Sequence, residues 1–585
     1  MSAAEAEADL EVINTRLGKQ YPATNQGYGI SVSSILDSQV SDYASTLWLL
    51  GGAVACMLLI ACANVAGLLL VRGLDRSHEI AVRVALGASR SQLLVHLLLE
   101  NGLLVLLGGA AGLIVASCAI SIVKAMCPQD DLTRFHRISL DPLAFLFVLA
   151  ATLAVSLLFG LIPAWGLSGG ELDSALRRDA GRTGTVGRPR QRLQSMLIAG
   201  QVAFTCALLM GAGLLVRSYQ ATQSVPLGFN PGHLLVAEIS QEDAHFDSDP
   251  ARGARFFDQL LEKVRLMPGV ISASIANDPP FNLAWNIVEP FGIAGHPDPY
   301  FGEAAKAEFQ SITPGYFQTM GIPLLTGRDV TAEDEYHEKK VAIIDQALAE
   351  RFFPGENPLG KQIRDTYSRF GEPVHYYTIV GVVANSRHDS PDVPQAVFQI
   401  YFPYSFARYG QLLVRVAGDP AALVSGVRRL AASIDPDVPV SKIGLFEERI
   451  ASRFSTRRVG VLLVGLFSGV ALFLSAIGLY GLLAYSVRQK TREIGIRISL
   501  GAQPSNILKL VARRGFSLVL VGLMMGVGIA LLSTRLIQGM LYQVSPADPV
   551  TLGVTVLVLG LAAATACLLP ALRAIRINPV TALRE

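Results

Sequence analysis

Long uncharged apolar stretches dominate the pattern of this chain. A helix needs about 20 apolar residues to cross some 30 Å of hydrocarbon, and seven stretches of about 18 or more residues contain no Asp, Glu, Lys or Arg. In lipid every backbone N–H and C=O must be paired within its own segment, so the stretches are predicted to be transmembrane helices. They are residues 48–71, 102–123, 143–167, 195–216, 459–487, 515–534 and 549–572.

Basic residues concentrate in alternate loops between these stretches. Arg-rich segments follow the first, third, fifth and seventh stretches, whereas residues 536–548 contain no basic residue. Because Lys and Arg near span ends tend to stay in the cytoplasm, the N-terminus and residues 218–458 are predicted to lie outside the cell. The C-terminus is predicted to be cytoplasmic.

The segment 218–458 has the composition of a soluble α/β domain. Apolar periodicity predicts amphipathic helices at 252–266 and 421–434. Strands are predicted at 270–275, 308–312, 341–344, 377–383, 397–402 and 412–416. The alternation of these helices and strands favours one or two small split βαβ layers over a sandwich.

Composition and charge exclude several classes of function. Only 16% of the 585 residues are charged, against roughly 25% in an ordinary soluble domain, which argues against a purely soluble enzyme. The net charge of +2 lacks the strong basic excess that is typical of a nucleic-acid-binding protein. The six cysteines lie in or beside the spans, so the outside domain is expected to fold without disulfides. The histidines of this domain are His233, His245, His296, His337, His375 and His388. They lack the spacing of metal ligands, and neither a catalytic nor a cofactor site is predicted.

Two segments resemble nucleotide-binding motifs. Residues 355–362 fit the phosphate-loop pattern up to Gln362, which stands where Ser or Thr would hold magnesium. The segment follows a predicted helix at 346–353 and contains Pro358, so we predict a turn. Residues 167–171 resemble the signature loop of ABC ATPases, but no nucleotide-binding domain surrounds them. The chain is therefore predicted not to be an enzyme.

The chain contains an internal repeat. A segment with Glu79, Arg83 and Gly87 recurs 414 residues later as Glu493, Arg497 and Gly501, and the glycine pair Gly108 and Gly112 recurs as Gly522 and Gly526. Two three-span units are therefore related by duplication. The fourth span, residues 195–216, has no counterpart in the first copy.

The missing counterpart shapes the predicted domain organisation. Residues 1–42, amphipathic at first and then strand-like, are expected to be the closing end of a truncated extracytoplasmic domain. A fragment, a split gene, a mis-called start and a genuine short form all fit this pattern. The remaining predicted segments are a first permease unit (43–177), a basic cytoplasmic linker (178–194), the helix that opens the second unit (195–217), the outside core domain (218–458) and a second permease unit (459–585).

The repeated motif predicts a short amphipathic helix at the cytoplasmic membrane surface. Glu and Arg four residues apart share one face of a helix and can pair, and the glycine can end the helix. The helix either anchors its span at the interface or forms a mechanical contact that both copies share. The spacing of the glycine pairs favours close helix packing within the subunit, and a dimer face is the alternative.

The whole chain resembles the MacB/FtsX family of ABC transporter permeases. The resemblance rests on the run Arg-Glu-Ile-Gly-Ile-Arg-Ile-Ser-Leu-Gly-Ala at 492–502, the ending at 576–584, and the run Leu-Ile-Ala-Cys-Ala-Asn-Val-Ala-Gly at 59–67, which looks like the duplicated-permease (ADOP-like) branch. It implies an α-helical polytopic membrane protein with two FtsX-like units and a MacB-like extracytoplasmic α/β domain. The coupling contacts with an ATPase would lie at Glu79, Arg83, Gly87, Glu493, Arg497 and Gly501.

The resemblance also implies partners and a location. A separate cytoplasmic ABC ATPase would drive the outside domain by mechanotransmission, in a bacterial plasma membrane, and membrane lipid would surround the spans. A periplasmic adaptor or a second permease chain could complete the assembly. Efflux or export of an amphipathic compound is the leading function. Regulation of a partner without transport and lipoprotein release are the alternatives.

Overall fold

In the computed structural model the chain divides into two compact units, which are described separately. One unit comprises residues 1–38 and 224–455, and the other comprises residues 39–223 and 456–585. The structure describes residues 3–21, 29–32, 34–75, 107–122, 124, 141–150, 153–154, 188–240, 250–282, 288–295, 306–336, 339–365, 375–388, 398–404, 409–489, 491–500, 503–537 and 541–575.

The helical unit carries the apolar stretches. Within the described residues, five helices are long and apolar enough to cross a membrane, and they correspond to five of the seven predicted spans. The predicted span 102–123 overlaps a shorter apolar helix, and the span 143–167 is described only at its start, where residues 142–150 are helical. The helices of this unit are α2 Ile35–Asp75, α3 Leu107–Ile122, α4 Arg188–Gln223, α11 Ser455–Gln489, α12 Thr491–Ser499, α13 Pro504–Ile537 and α14 Pro549–Ile575.

Helix α4 is packed against α13 through small residues. A Cβ added to Gly522 would lie 2.8 Å from Ala199 O, and one added to Gly526 would lie 2.7 Å from Ala203 O. The two backbones therefore approach closely only because α13 carries glycine at this face. Packing within the subunit is thus confirmed for the second glycine pair. Around Gly108 and Gly112 no described atom lies within 4 Å of an added Cβ.

The start of the chain differs from the prediction. An amphipathic helix was expected first, and α1 spans Ala3–Gln20. The strand-like expectation for the following residues is wrong, because residues 29–32 and 34 form no strand and α2 is helical from Ile35 onwards. Alternating β-branched residues need a partner strand to become a strand, whereas this segment continues directly into an apolar helix.

The other unit contains an antiparallel layer with two helices packed on it. Four strands pair in the order β11 (Val440–Leu445), β1 (Leu234–Ser240), β10 (Tyr409–Val416) and β2 (Val270–Ala276), and they are antiparallel throughout. The helices α5 Pro250–Arg265 and α9 Val424–Ile434 connect β1 to β2 and β10 to β11. Alternate residues of the strands, including Leu235 and Leu412, join Phe256 of α5 and Val427 of α9 in one apolar core. This is a split βαβ layer, as predicted.

Six of the other described strands form a closed ring, the β-ring, that the sequence did not predict. They are β3 Val288–Ile293, β4 Lys306–Ile312, β6 Val341–Asp345, β7 Gln362–Asp365, β8 Tyr376–Val383 and β9 Phe398–Pro403. The order β4-β3-β7-β8-β6-β9 is closed by parallel pairing of β9 with β4, and an apolar core that includes Phe291, Ile344 and Ile400 fills the ring. The short strand β5 Leu324–Gly327 pairs with β8 outside the ring.

Short helices complete this unit. They are α6 Tyr316–Met320, α7 Ala332–Tyr336, α8 Gln346–Phe352 and α10 Phe446–Arg453.

Of the two segments that resemble nucleotide-binding motifs, residues 167–171 lie outside the described residues. A phosphate loop leads into a helix, whereas residues 353–361 form a turn with Gly355 and Gly360 at positive φ and lead into strand β7. The prediction of a turn is therefore confirmed.

Candidate functional site

The repeated motif is described in its second copy. Glu493 and Arg497 lie four residues apart on α12, which confirms the predicted short helix, and Arg497 is exposed. Gly501 and the first-copy residues Glu79, Arg83 and Gly87 lie outside the described residues.

Helix α12 is attached to the spans through one side. Ile494 is only 2% exposed and belongs to an apolar cluster with Val487 of α11 and Ala571 of α14. The hydroxyl of Thr491 donates a hydrogen bond to Arg488 O at 2.8 Å, at the end of α11. Both contacts fix α12 directly to the ends of two spans.

The opposite side of α12 presents apolar side chains. Ile496 is 43% exposed and Leu500 is 82% exposed, and Arg497 stands between them on the same exposed side. Exposed apolar side chains beside a cation are typical of a surface that contacts either a protein or the membrane interface. Helix α12 therefore has one anchored side and one side available for contact.

The end of α14 is also joined directly to α11. Arg573 of α14 donates a hydrogen bond to Tyr480 OH of α11 at 2.8 Å, and its guanidinium lies 6.0 Å from the ring centroid. A cation over an aromatic face adds electrostatic attraction to that hydrogen bond. The two spans that hold α12 are therefore also joined to each other.

A polar junction joins α4 to α14 at their other ends. Asp548 accepts hydrogen bonds from the N–H and hydroxyl of Thr551, both at 2.7 Å, and pairs with Arg217 of α4. The Arg217 guanidinium holds the pKa of the Asp548 carboxyl below its usual range. In the first repeat Asp141 similarly accepts from the N–H of Leu143 at 2.9 Å. Asp548 precedes Pro549 and Asp141 precedes Pro142 at equivalent positions of the two repeats. Each aspartate therefore caps the start of the helix that follows it, a role that the sequence analysis did not assign.

A buried polar cluster in the β-ring was also missed by the sequence analysis. The Gln310 amide of β4 lies 2.6 Å from His388 Nδ1, and the Ser386 hydroxyl lies 3.3 Å from His388 Nε2. Glu308 Oε2 lies 3.3 Å from His388 Nδ1, and Gln399 of β9 donates to that oxygen at 2.6 Å. Burial lowers the pKa of His388 to about 3.

The imidazole of His388 links side chains on both of its edges. Gln310 and Glu308 face Nδ1, whereas Ser386 and Tyr401 face Nε2. The cluster therefore clamps β4, β9 and residues 386–388 together. No group of acidic, Cys or His side chains among the described residues could hold a metal.

The two units thus define a polytopic membrane protein with a folded α/β domain and a helical element fixed to the span ends. The family model for the FtsX-like permease C-terminal domain matches residues 51–172 and again 465–579, and the model for the MacB-like periplasmic core domain matches residues 207–430. The chain belongs to the MacB/FtsX family of ABC transporter permeases. It is a multi-pass membrane protein with a periplasmic core domain and two FtsX-like units.

Three relatives each match a little under half of this chain. The macrolide export ATP-binding/permease protein MacB of Marinobacter nauticus is 28% identical over 274 residues, 45% of this chain and 40% of MacB. The uncharacterized ABC transporter permease YknZ of Bacillus subtilis is 26% identical over 294 residues, 49% of this chain and 72% of YknZ. The pyoverdine export ATP-binding/permease protein PvdT of Pseudomonas putida is 26% identical over 285 residues, 45% of this chain and 40% of PvdT. The match thus spans less than half of the MacB and PvdT proteins.

Proposed function

We propose that this chain is the permease subunit of an ABC-type export system that couples a separate cytoplasmic ATPase to its extracytoplasmic domain. The observation that carries the proposal is the geometry of α12. This helix is fixed to the ends of α11 and α14 by Ile494 and Thr491, while the apolar side chains of Ile496 and Leu500 are exposed.

The coupling contact joins α12 to the ATPase surface. Apolar side chains at the centre of an interface supply binding energy, and charges beside them fix its register. Glu493, Arg497 and Gly501 form this contact in the second unit, and Glu79, Arg83 and Gly87 form it in the first. Closure of the ATPase dimer then moves the spans, and their motion reaches the outside domain by mechanotransmission.

The proposed topology places residues 218–458 and the N-terminus outside a bacterial plasma membrane and the C-terminus in the cytoplasm. The Arg-rich loops support this orientation. A second permease chain or a periplasmic adaptor completes the complex. The proposed cargo is an amphipathic compound, peptide or lipid-linked molecule.

Co-purification with candidate ATPase subunits tests the coupling contact. Arg497→Glu and Leu500→Asp are each expected to reduce the recovered ATPase about tenfold or more, because each puts an unfavourable group into the contact. Glu493→Lys and Glu79→Lys are expected to act in the same direction.

Matched controls come from the outside domain. Arg429→Glu reverses the same charge on an exposed face of α9, and Leu266→Asp alters a leucine that is 79% exposed. Neither should affect ATPase recovery. Normal recovery with all four coupling variants would refute the contact. In reconstituted complexes, cargo-stimulated ATP hydrolysis supports export, and activation of a partner without cargo movement supports regulation.

A further inference from the structure

A cavity of about 70 Å³ lies between α2, α4 and α11. On this measure a site needs only about 10–15 Å³ per water molecule, so the cavity has room for a small polar group. Residues of α2 and α11 that line it are related by the internal repeat. They pair as Ala63 with Ile477, Asn64 with Gly478, Gly67 with Gly481, and Leu68 with Leu482. The cavity therefore lies where equivalent helices of the two duplicated units meet.

Two side-chain amide oxygens converge at one point of this cavity. Asn64 donates its amide to Leu474 O at 3.0 Å. A Cβ added to Gly478 would lie 2.5 Å from Asn64 Oδ1 and 2.6 Å from Gln201 Oε1. Any side chain at position 478 would occupy this point, so the glycine keeps it open.

Gln201 Oε1 is a buried acceptor without a donor among the described residues. Gln201 is 2% exposed, and this oxygen has no hydrogen-bond partner in the described part of the chain. Leaving such a group unpaired costs about 1–3 kcal/mol. The orphan oxygen therefore indicates that a hydrogen-bond donor occupies the cavity.

Neighbouring polar groups on the same helices are satisfied. The Thr205 and Ser475 hydroxyls lie 2.6 Å apart, and the Ser468 hydroxyl donates to Leu208 O at 2.9 Å. Such contacts hold membrane helices together. Gln201 Oε1 takes part in none of these hydrogen bonds, so contacts between the helices do not explain why this oxygen is buried.

The lining defines the chemistry of the occupant. None of the described residues that line the cavity is Lys, Arg, Asp or Glu, and apart from Asn64, Gln194 and Gln201 they are apolar residues and glycine. The rim residues Leu68 and Ile477 are 57% and 41% exposed, which opens a route from the acyl chains. Gln194 lies two residues inside the start of one span, and Gln201 lies nine residues inside the same span. The cavity thus begins near the headgroup level and extends about 10 Å deeper, to Gln201, at 1.5 Å of helix rise per residue.

We propose that this cavity binds the hydrogen-bond-donating head of a membrane amphiphile, such as a primary ammonium or hydroxyl group, through Gln201 Oε1 and Asn64 Oδ1. The amphiphile is either a bilayer lipid or an added molecule of the cargo type. The site is independent of the ATPase contact, so either proposal can fail without the other.

Thermal unfolding of the purified chain in lipid nanodiscs tests the site. Phosphatidylethanolamine carries ammonium N–H donors, and phosphatidylcholine carries the same charge without them. Wild type is expected to unfold about 2–4 °C higher when phosphatidylethanolamine replaces part of the phosphatidylcholine. A second arm adds hexadecylamine or trimethylhexadecylammonium to phosphatidylcholine nanodiscs, and only the amine should stabilise the chain.

Two variants separate binding from folding. Gln201→Leu should abolish the donor-dependent shift while unfolding at the same or a higher temperature in pure phosphatidylcholine, because it removes the orphan acceptor. Gly478→Ala should also abolish the shift, whereas Gly465→Ala on the same helix, with no described atom near its added Cβ, and Ser468→Ala should retain it.

The arms also identify the source of the head group. A shift with the lipid assigns a bilayer lipid, and a shift with hexadecylamine alone assigns a cargo-type amphiphile. Equal unfolding temperatures with and without donors, or a shift that persists in Gln201→Leu, would overturn the site.

Discussion

At the residue scale, burial decides what the polar groups of the outside domain can do. His388 is enclosed by Glu308, Gln310, Ser386 and Tyr401. Its neutral form is favoured because a charged imidazole would lose its hydration there. The histidine therefore acts as a fixed hydrogen-bonding group of the β-ring and not as a titrating group near neutral pH.

This burial predicts a pH dependence of stability. The pKa of His388 is about 3 in the folded domain and about 6.5 in an unfolded chain, so the unfolded state binds the extra proton between these values. Its contribution to stability is complete above about pH 6.5 and is lost as the pH falls toward 3, by up to about 1.4 kcal/mol per pH unit. His388→Gln should remove this component.

Urea midpoints of the full chain, followed by pulse proteolysis of the outside domain across this pH range, measure the effect. Glu335 and Asp345 have the opposite effect on the pH dependence of stability, because burial raises the pKa of each to about 7. Only the difference between the variant and wild type therefore isolates the contribution of His388. His233→Gln is the exposed control. A difference that does not vary with pH would contradict the assignment of a buried neutral histidine.

At the element scale, glycine spacing determines how closely the spans can approach. A Cβ on Gly526 would lie 2.5 Å from Cys206 Cβ on α4, and such overlap forces backbones apart. Gly528, two residues further along α13, has no described atom within 4 Å of an added Cβ. The same helix therefore supplies both a test position and its control.

Gly526→Ala is expected to destabilise the chain by about 1–3 kcal/mol, the typical cost of overpacking a tight contact. Gly528→Ala should leave the unfolding temperature in lipid nanodiscs unchanged or slightly higher, because alanine favours the helix. Equal unfolding temperatures for the two variants would show that α13 does not rest on α4 through Gly526.

At the scale of the whole molecule, the proposed orientation predicts opposite accessibility of two exposed positions. Lys442 lies in β11 of the outside domain, and Leu500 follows α12. In intact cells a membrane-impermeant maleimide should label Lys442→Cys and not Leu500→Cys, and permeabilisation should expose the second position. The parent chain, with its native cysteines in or beside the spans, gives the background. The reverse pattern would invert the topology.

Helices and strands with a strong local pattern could be predicted from the sequence. Helix α5 (Pro250–Arg265) follows a 3.6-residue period, and the apolar strand β6 (Val341–Asp345) is buried throughout. The four-residue strand β5 (Leu324–Gly327) was missed because all its side chains are exposed, so pairing with β8 alone makes it a strand.

The sequence by itself determined the membrane class, the duplication and the position of the repeated motif, because span length, charge bias and repeated residues are local properties of the chain. Only the tertiary structure decided that β9 pairs with β4 to close a ring, and that Gln201 and Asn64 converge beside Gly478. These contacts join residues far apart in sequence. Whether a polar atom in such a contact finds a hydrogen-bond partner depends on how closely separate elements approach each other. That approach leaves no periodic pattern in the sequence.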